Sequence, residues 1–520
     1  MKEVGRKAAG KAIVVVVAAA SISVVAQMPA VNLEAASESS CVSSLDQGKD
    51  LLGQRQFSRA ENLLVEAAKN CPKVAEIFET LGLTYDFDGR HAQAQTAYRQ
   101  AISINPGKAE FHNNLATSLL RSEQPGAAIS EFQKAIGVDP ANKAANLNLA
   151  TLQIAKKDYV SALHFLQAAH VERSQDPLAL YELTEAYFGA GDDRAAHETA
   201  TLLAKLPKLE PAVHFSLGLL MAQHEDYNLA AQQFAAIPEA DRDAAADVNL
   251  GMAYSELRRL QEAREAYEEA IRRDPSNPDP YLHIGLDAAA AGNDEAALDW
   301  ITQASVTAPD RPDISDALLH QLIRVGNFER ARQLLDSAMA ARSSDPALLE
   351  IQADLLRREG HFEQAAKAYR KVLALQPRRV SARIALASAY EQLQQSDKAT
   401  NELEDAIQVD PRNAEAKAQL GHLAIEAGNQ DAAGDWTRQA LALDPNNLTA
   451  NEDRAMLMER AGSHGEAQII LEKLVRLEPK NPRVHYLLGR VLLQLQKPEE
   501  AQTQFDLSKK LEASEVQRSD

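Results

Sequence analysis

Apolar residues recur along most of the chain with the spacing of an α-helix that has one buried face. In residues 75–108 these apolar positions are Phe78, Leu81, Tyr85, Tyr98 and Ala101. Side chains three or four residues apart lie on the same side of a helix, so each half of this segment predicts an amphipathic helix. Asp88-Gly89 stands between the halves and is typical of a turn. The segment therefore predicts two helices joined by a short turn.

This pattern is repeated end to end with a period of 34 residues. Starting at Cys41, fourteen units reach about Ser514, and only one of them has 33 residues. Position 20 of the unit is Ala in all fourteen, and position 8 is Gly or Ala in twelve, with Thr184 and Leu319 as the exceptions. Small side chains at both positions allow two helices to pack closely. The sequence therefore predicts a stack of similar helix pairs.

These features resemble the tetratricopeptide repeat. The shared pattern is Leu-Gly/Ala-x-x-Tyr in the first helix, Ala and an aromatic residue in the second helix, and Pro near the end of the unit; it covers residues 41–514. The resemblance implies an all-α fold, an α-solenoid in which about 14 helix-turn-helix repeats stack into a right-handed superhelix. It also implies that the first helix of each pair lines a concave groove.

The ends of the array carry polar residues where other repeats are apolar. Ser44 and Gln47 occupy positions 4 and 7 of the first repeat, and Ser508-Lys509-Lys510 follows Phe505 in the last. A terminal repeat has no outer neighbour, so a hydrophilic outer face prevents end-to-end association. We therefore expect repeats 1 and 14 to cap the solenoid.

Pro238 predicts a break inside the array. It follows Ile237 directly, where the second helix of repeat 6 should still continue, and Pro removes a backbone donor from a helix. The helix should stop early and the superhelix should change pitch near residues 237–243. We therefore expect repeats 1–6 over residues 41–243, repeats 7–14 over residues 244–514 and a C-terminal tail over residues 515–520.

The first 26 residues have the layout of an export signal. The basic residues Lys2, Arg6, Lys7 and Lys11 precede the apolar run Ala12 to Ala26. A membrane-spanning helix needs about 20 apolar residues, so this run predicts a cleaved signal peptide over residues 1–26 rather than an uncleaved anchor. Residues 27–40 then form a linker. We expect an exported protein of the periplasm, the cell envelope or the secreted fraction, without a membrane span after cleavage.

Charge and motifs argue against nucleic-acid binding and catalysis. Asp and Glu outnumber Lys and Arg by 74 to 55, and a net charge of -19 repels phosphate backbones. The stretch GRKAAGK at residues 5–11 resembles a phosphate-binding loop, but Ala12 stands where a Ser or Thr would bind magnesium. Residues 86–89 (DFDG) lack the later acids of a calcium loop. The 13 His are scattered over different repeats, so we expect no enzyme, metal or cofactor.

Trp300 and Trp436 are the only tryptophans, and both occupy position 23 of their repeats. Because position 24 is a core position, these indoles are interpreted mainly as covers over the seam between neighbouring repeats. The alternative is a pair of exposed aromatic anchors for a partner.

Asn114, Asn148 and Asn249 all occupy position 6 of a first helix. In some tetratricopeptide proteins, including nucleocytoplasmic sugar transferases, an asparagine ladder at this position holds the backbone of an extended peptide. An Asn amide can donate and accept a hydrogen bond at once, which suits a peptide group. The ladder is interrupted by Tyr181-Glu182 and Phe215-Ser216, and the alternative interpretation is three solvated groove residues.

Cys41 and Cys71 are the only cysteines, and they occupy positions 1 and 31 of the first repeat. An antiparallel helix pair returns position 31 to the neighbourhood of position 1. Together with the export signal, this predicts a disulfide. The alternative is two unpaired thiols.

The sequence as a whole predicts a non-catalytic scaffold that binds a protein or peptide. The alternative function is an accessory subunit that binds a glycan or a glycan-modifying or export enzyme complex. A hidden catalytic site is disfavoured because no domain is inserted among the repeats.

Overall fold

The structure is a computed structural model that describes the backbone of residues 35–519 and the side chains of residues 40–513. Within these residues it contains 28 α-helices, one short 3₁₀-helix and no strand. The predicted all-α fold of stacked helix pairs is thereby confirmed. With the helices numbered in chain order, the first helix of each repeat has an odd number and its second helix has the next even number.

The chain divides into two compact units, the first ending at Arg259 and the second beginning at Leu260. Unit 1 contains α1 (Ala35–Gly53), α2 (Phe57–Asn70), α3 (Ala75–Phe87), α4 (His91–Ile104), α5 (Ala109–Arg121), α6 (Pro125–Val138), α7 (Lys143–Ala155), α8 (Tyr159–Ala168), α9 (Pro177–Ala190), α10 (Asp193–Ala204), α11 (Pro211–Gln223), α12 (Tyr227–Ala236) and α13 (Ala244–Glu256). The 3₁₀-helix (Val171–Arg173) follows α8.

Unit 2 contains α14 (Leu260–Arg273), α15 (Asp279–Ala290), α16 (Asp294–Thr307), α17 (Pro312–Arg324), α18 (Phe328–Ala341), α19 (Pro346–Arg358), α20 (Phe362–Leu375), α21 (Val380–Gln392), α22 (Ser396–Val409), α23 (Ala414–Glu426), α24 (Gln430–Leu443), α25 (Leu448–Arg460), α26 (His464–Leu477), α27 (Pro482–Gln494) and α28 (Pro498–Ser519). The boundary between the units lies between α13 and α14, which are the two helices of repeat 7.

The position-20 alanines form the most uniform part of the core. All fourteen have no exposed surface: Ala60, Ala94, Ala128, Ala162, Ala196, Ala230, Ala263, Ala297, Ala331, Ala365, Ala399, Ala433, Ala467 and Ala501. A larger side chain at such a site would overpack the helix contact. The strict repetition of Ala in the sequence therefore has a steric cause.

Position 8 of the first helix packs directly against position 24 of the second. A Cβ atom on Gly218 would lie 2.6 Å from the ring of Phe234, and one on Gly489 would lie 2.7 Å from the ring of Phe505. The small residue at position 8 makes room for a bulky one at position 24 in these pairs. This contact sets the close approach of the two helices within a repeat.

The turn between the two helices contains a left-handed residue at position 15 in all fourteen described repeats. Seven are glycines, namely Gly89, Gly191, Gly292, Gly326, Gly360, Gly428 and Gly462. The other seven are Arg55, Glu123, Lys157, Glu225, Arg258, Gln394 and Gln496, with φ between 55° and 64°. An L-residue with a side chain adopts this conformation at a cost, so the turn geometry is imposed by the packing of the two helices.

Repeat 6 ends its second helix early, as Pro238 predicts. Helix α12 has 10 residues and stops at Ala236, whereas most second helices have 14. Arg242 then takes over part of the missing turn, because its Nη2 donates to the carbonyl oxygens of Ala235 at 3.0 Å and Ile237 at 2.8 Å. These two carbonyls would otherwise lack helical donors.

Two predicted boundaries need correction. Helix α1 begins at Ala35, so residues 35–40, predicted as linker, are helical; the stretch AASESS has no Pro or Gly to stop a helix. Helix α28 likewise continues to Ser519 through most of the predicted tail at 515–520, because no breaker follows Pro498. The predicted signal peptide at 1–26 lies outside the described residues. No described helix is both long and apolar enough to cross a membrane.

Candidate functional site

The first helices of repeats 2 to 5 carry a row of polar side chains that bond to one another across repeat boundaries. Nδ2 of Asn114 on α5 donates to Oε1 of Glu79 on α3 at 3.0 Å. Nδ2 of Asn148 on α7 donates to Oδ1 of Asn113 on α5 at 3.3 Å. We call the row formed by Glu79, Asn113, Asn114, Asn148, Thr151 and Glu182 the polar ladder.

The last step of the polar ladder joins repeats 4 and 5. The hydroxyl of Thr151 on α7 donates to Oε1 of Glu182 on α9 at 2.7 Å. Asn148 and Thr151 are three residues apart, which places them on neighbouring turns of one helix face. The ladder thus continues over four consecutive first helices, and its members are half-buried apart from the exposed Thr151.

The carboxyl groups of this face are partly removed from water. Burial raises the pKa of Glu182 to about 7, although the hydrogen bond from Thr151 acts in the opposite direction. Burial also raises the pKa values of Glu79 and Glu185, and Lys108 opposes the effect at Glu79. A positively charged group placed beside these carboxyls would favour their ionised form.

The polar ladder offers the two kinds of contact that an extended peptide needs. Each Asn amide has two N–H donors and a carbonyl acceptor, and only part of this capacity is used within the ladder. Glu79, Glu182 and Glu185 add acceptors that favour cationic side chains. The arrangement can therefore hydrogen-bond a peptide backbone and select Lys or Arg beside it.

Asn249 has a different environment from the other two predicted asparagines. Its Nδ2 donates to the carbonyl oxygen of Ala245 on its own helix, α13, at 2.8 Å. Asn114 and Asn148 instead bond to neighbouring repeats. Glu79 and Asn113 were not singled out from the sequence, although they occupy position 5 of their first helices; Glu182, at position 6, was expected to interrupt the ladder but continues it through Thr151.

Trp300 and Trp436 are half-buried and lie against the core of unit 2. The ring centroid of Trp300 lies 6.1 Å from that of Tyr281, and both belong to one apolar cluster. Trp436 packs against the cluster that contains Ala416 and Leu420. Both indoles thus contact core residues, and their role as seam covers or partner anchors stays a prediction.

Cys41 and Cys71 are joined in the structure, with a Cα–Cα distance of 6.0 Å. Cys41 lies in α1, and Cys71 directly follows the last residue of α2. The link connects the first half of α1 to the residue that follows the end of α2. Its formation in the isolated protein stays a prediction that thiol chemistry tests.

The DFDG stretch has a structural role in unit 1. Asp86 is buried, and its carboxylate accepts hydrogen bonds from the hydroxyls of Tyr98 at 3.1 Å and Ser118 at 2.7 Å. Nδ1 of His91 lies 2.9 Å from the same carboxylate. Gly89, with φ of +76°, makes the turn to α4. These contacts occupy Asp86 within repeats 2 and 3, which fits the interpretation of DFDG as an interhelical turn.

Family profiles described as tetratricopeptide repeat match most of the chain. One profile matches residues 248–312, 317–380 and 384–447. A second matches residues 119–169, 356–406 and 458–517, and a third matches residues 75–108.

Curated relatives share parts of the array. The type IV pilus assembly protein PilF of Pseudomonas aeruginosa is 31% identical over 212 residues, which are 39% of this chain and 82% of PilF. Anaphase-promoting complex subunit 3 of Schizosaccharomyces pombe is 26% identical over 182 residues, or 35% of this chain. The match spans 27% of the length of that subunit.

A solved structure of yeast Tom70 matches 85% of this chain and 98% of its own, with 14% identity and a TM-score of 0.40. The repeat profiles cover well over half of the sequence, and the described helix pairs follow the same period. The chain belongs to the tetratricopeptide repeat family.

Proposed function

We propose that this chain is a non-catalytic scaffold that holds an extended segment of a partner protein against the polar ladder of unit 1. The observation that carries the proposal is the row of amide, hydroxyl and carboxyl side chains that bond from repeat to repeat over four first helices. Asn114 and Asn148 face the neighbouring repeats at hydrogen-bonding distance, so their amides are already ordered before a partner arrives. Ordered side chains lose less entropy on binding.

The carboxyl groups of the ladder define the partner further. Glu79, Glu182 and Glu185 lie on or beside it, and the chain as a whole has a net charge of -19. An acidic face attracts basic partners and increases their rate of association. The segment held by the ladder is therefore proposed to contain Lys or Arg.

The protein is further proposed to act in the periplasm, in the cell envelope or outside the cell. The N-terminal basic and apolar segments support export, and the pairing of Cys41 with Cys71 suits an oxidising compartment. The similarity to PilF, a type IV pilus assembly protein, supports a role in an envelope assembly.

The test is a triple substitution, Asn114→Ala, Asn148→Ala and Asn249→Ala. Wild-type and variant proteins are titrated with an array of extended peptides that differ in Lys and Arg content, beside a glycan array. Asn114 and Asn148 are the ladder members of this set, and loss of each bond to a partner should cost about 0.5–1.5 kcal/mol, so the triple variant should bind basic peptides roughly fivefold to 150-fold more weakly. Its helical dichroism and melting temperature should stay close to those of the wild type.

Asn228→Ala is the matched control, because Asn228 is an exposed asparagine on the second helix α12 of the same unit. The control should retain full peptide affinity. Equal affinity of wild-type and triple-variant proteins would contradict binding at the ladder. Binding of glycans instead of peptides would favour the accessory-subunit alternative.

A further inference from the structure

Three potential metal ligands from two neighbouring first helices meet in unit 2. They are Glu391 on α21, and His422 and Glu426 on α23, and one ligand atom of each lies within 4.8 Å of the others. Within the part of the chain whose side chains are described, this is the one such group of three. His422 and Glu426 are four residues apart, which places both on the same face of α23.

The imidazole of His422 is held in the orientation that metal binding needs. Its Nδ1 lies 2.8 Å from Oδ1 of Asp453 on α25, the first helix of the next repeat. With the proton on Nδ1 donated to the carboxylate, Nε2 carries the free lone pair. Nε2 lies 3.9 Å from Oε1 of Glu426. A carboxylate that fixes the far nitrogen of a ligand histidine is a recurrent feature of metal sites.

The buried carboxyl group of Asp453 is a second feature that favours a cation at this place. Its side chain has no exposed surface, and its Oδ2 is buried without a hydrogen-bond partner among the described residues. A carboxylate in this position is costly unless positive charge lies nearby. Arg483 lies close enough to influence it, but its guanidinium Nε is paired with Glu452 at 3.3 Å. A cation on Nε2 of His422 would place compensating charge against the buried Asp453.

The group is open to solvent on one side. Glu426 is exposed, whereas Glu391 and His422 are half-buried, and Asp453 closes the inner side. Zn²⁺ binds His nitrogen and carboxylate oxygen at about 2.0–2.2 Å. The exposed Glu426 side chain can adjust to such a distance, and three protein ligands leave a coordination position for water or a partner group.

We propose that Glu391, His422 and Glu426 bind a divalent transition-metal ion such as Zn²⁺, with Asp453 as the positioning residue for His422. The ion would connect the first helices of repeats 11 and 12, and through Asp453 that of repeat 13. No metal was expected from the sequence, because the histidines are scattered over different repeats. The repeat fold brings residues 391, 422 and 426 together because they lie at positions 12, 9 and 13 of adjacent first helices.

The test uses the full chain without a histidine tag, dialysed free of metal and titrated with Zn²⁺ by calorimetry and with Co²⁺ by absorption. Wild-type protein should bind one equivalent and gain thermal stability. His422→Ala should abolish this site, and Asp453→Asn should weaken it about 10–100-fold. A Glu391→Gln and Glu426→Gln double variant keeps the core intact and should also lose the site.

His112→Ala is the control, because Nδ1 of His112 similarly lies 2.8 Å from a carboxylate oxygen, that of Glu131. It should bind Zn²⁺ like the wild type. The proposal is overturned if wild-type protein binds no equivalent of Zn²⁺, or if the glutamine double variant, folded by dichroism, binds as tightly as the wild type. Loss of the site in His112→Ala but not in His422→Ala would also overturn it.

Discussion

Gly82 and Tyr98 are in such close contact that a Cβ atom on Gly82 would lie 2.5 Å from Cε1 of the tyrosine ring. Tyr98 has no exposed surface, and its hydroxyl is bonded to the buried Asp86. The ring therefore has little freedom to move away. Tyr98 thus takes part both in the contact between positions 8 and 24 of repeat 2 and in the buried hydrogen bonds between repeats 2 and 3.

Gly82→Ala should destabilise unit 1 because the added methyl group collides with Tyr98. Overpacking of this kind costs about 1–3 kcal/mol, more than the gain from replacing a helical Gly with Ala. Urea unfolding followed by circular dichroism measures the effect. Gly434→Ala is the control: Gly434 lies in α24 with nothing within 4 Å of its Cβ position, so this change should stabilise by about 0.5–1 kcal/mol. Equal effects of the two substitutions would contradict the steric argument.

Glu123→Gly should stabilise the turn between α5 and α6. Glu123 has φ of 58°, a conformation that costs a residue with a side chain about 1–2 kcal/mol and a glycine almost nothing. The gain is reduced by the greater freedom of glycine in the unfolded chain. The reverse change, Gly89→Ala at φ of +76°, should destabilise although nothing lies within 4 Å of its Cβ position. Thermal melts of both variants check the opposite signs.

Glu182 should make unit 1 less stable as the pH rises from about 4.5 to 7. Burial raises the pKa of Glu182 from 4.5 to about 7, so in this interval the folded chain holds a proton that the unfolded chain has released. Ionisation of Glu182 therefore stabilises the unfolded state at a lower pH than it stabilises the folded state, so the free energy of unfolding decreases as the pH rises. Glu182→Gln should recover about 1–3 kcal/mol at pH 8 relative to the wild type and little at pH 4.

Urea titrations at several pH values measure this difference. Glu66→Gln, which removes an exposed carboxylate on α2, is the control and should leave the pH dependence of the wild type unchanged. A Glu182→Gln curve parallel to that of the wild type would show that burial of this carboxyl does not influence folding.

The Cys41–Cys71 link should stabilise repeat 1 by about 3–4 kcal/mol, because it closes a loop with a sequence separation of 30 residues. A Cys41→Ser and Cys71→Ser double variant should exchange the amide hydrogens of α1 and α2 faster, with little change in α9 and α10. Protein purified without reductant and then denatured should contain no free thiol. Two free thiols per chain would refute the link.

The helix pairs were predictable because their cause repeats in the sequence. At position 20 only a small side chain fits the contact between helices, and all fourteen alanines at this position are buried. The left-handed residue at position 15 was harder to predict, because only half of the repeats place a glycine there. In Lys157 and Gln394 the packing of the helices imposes a conformation that the residue does not favour.

The candidate sites were less predictable, because they depend on which positions of adjacent first helices face one another. Asn114 was singled out from the sequence, but its partner Glu79 lies 35 residues earlier, in another repeat. Similarly, Asp453 lies 31 residues after His422. Such pairs become neighbours only when the offset between repeats is known in three dimensions.

The common register of the position-20 alanines has a consequence for how such a gene can change in length. The same small side chain is buried at the same place in every repeat. Loss or duplication of 34 codons within a unit therefore keeps the buried faces of the helices before and after the junction in register. Recombination between repeats would then yield chains that differ by whole helix pairs and still bury their apolar faces. Loss of 30 codons would instead rotate the downstream faces out of phase, and selection would remove it.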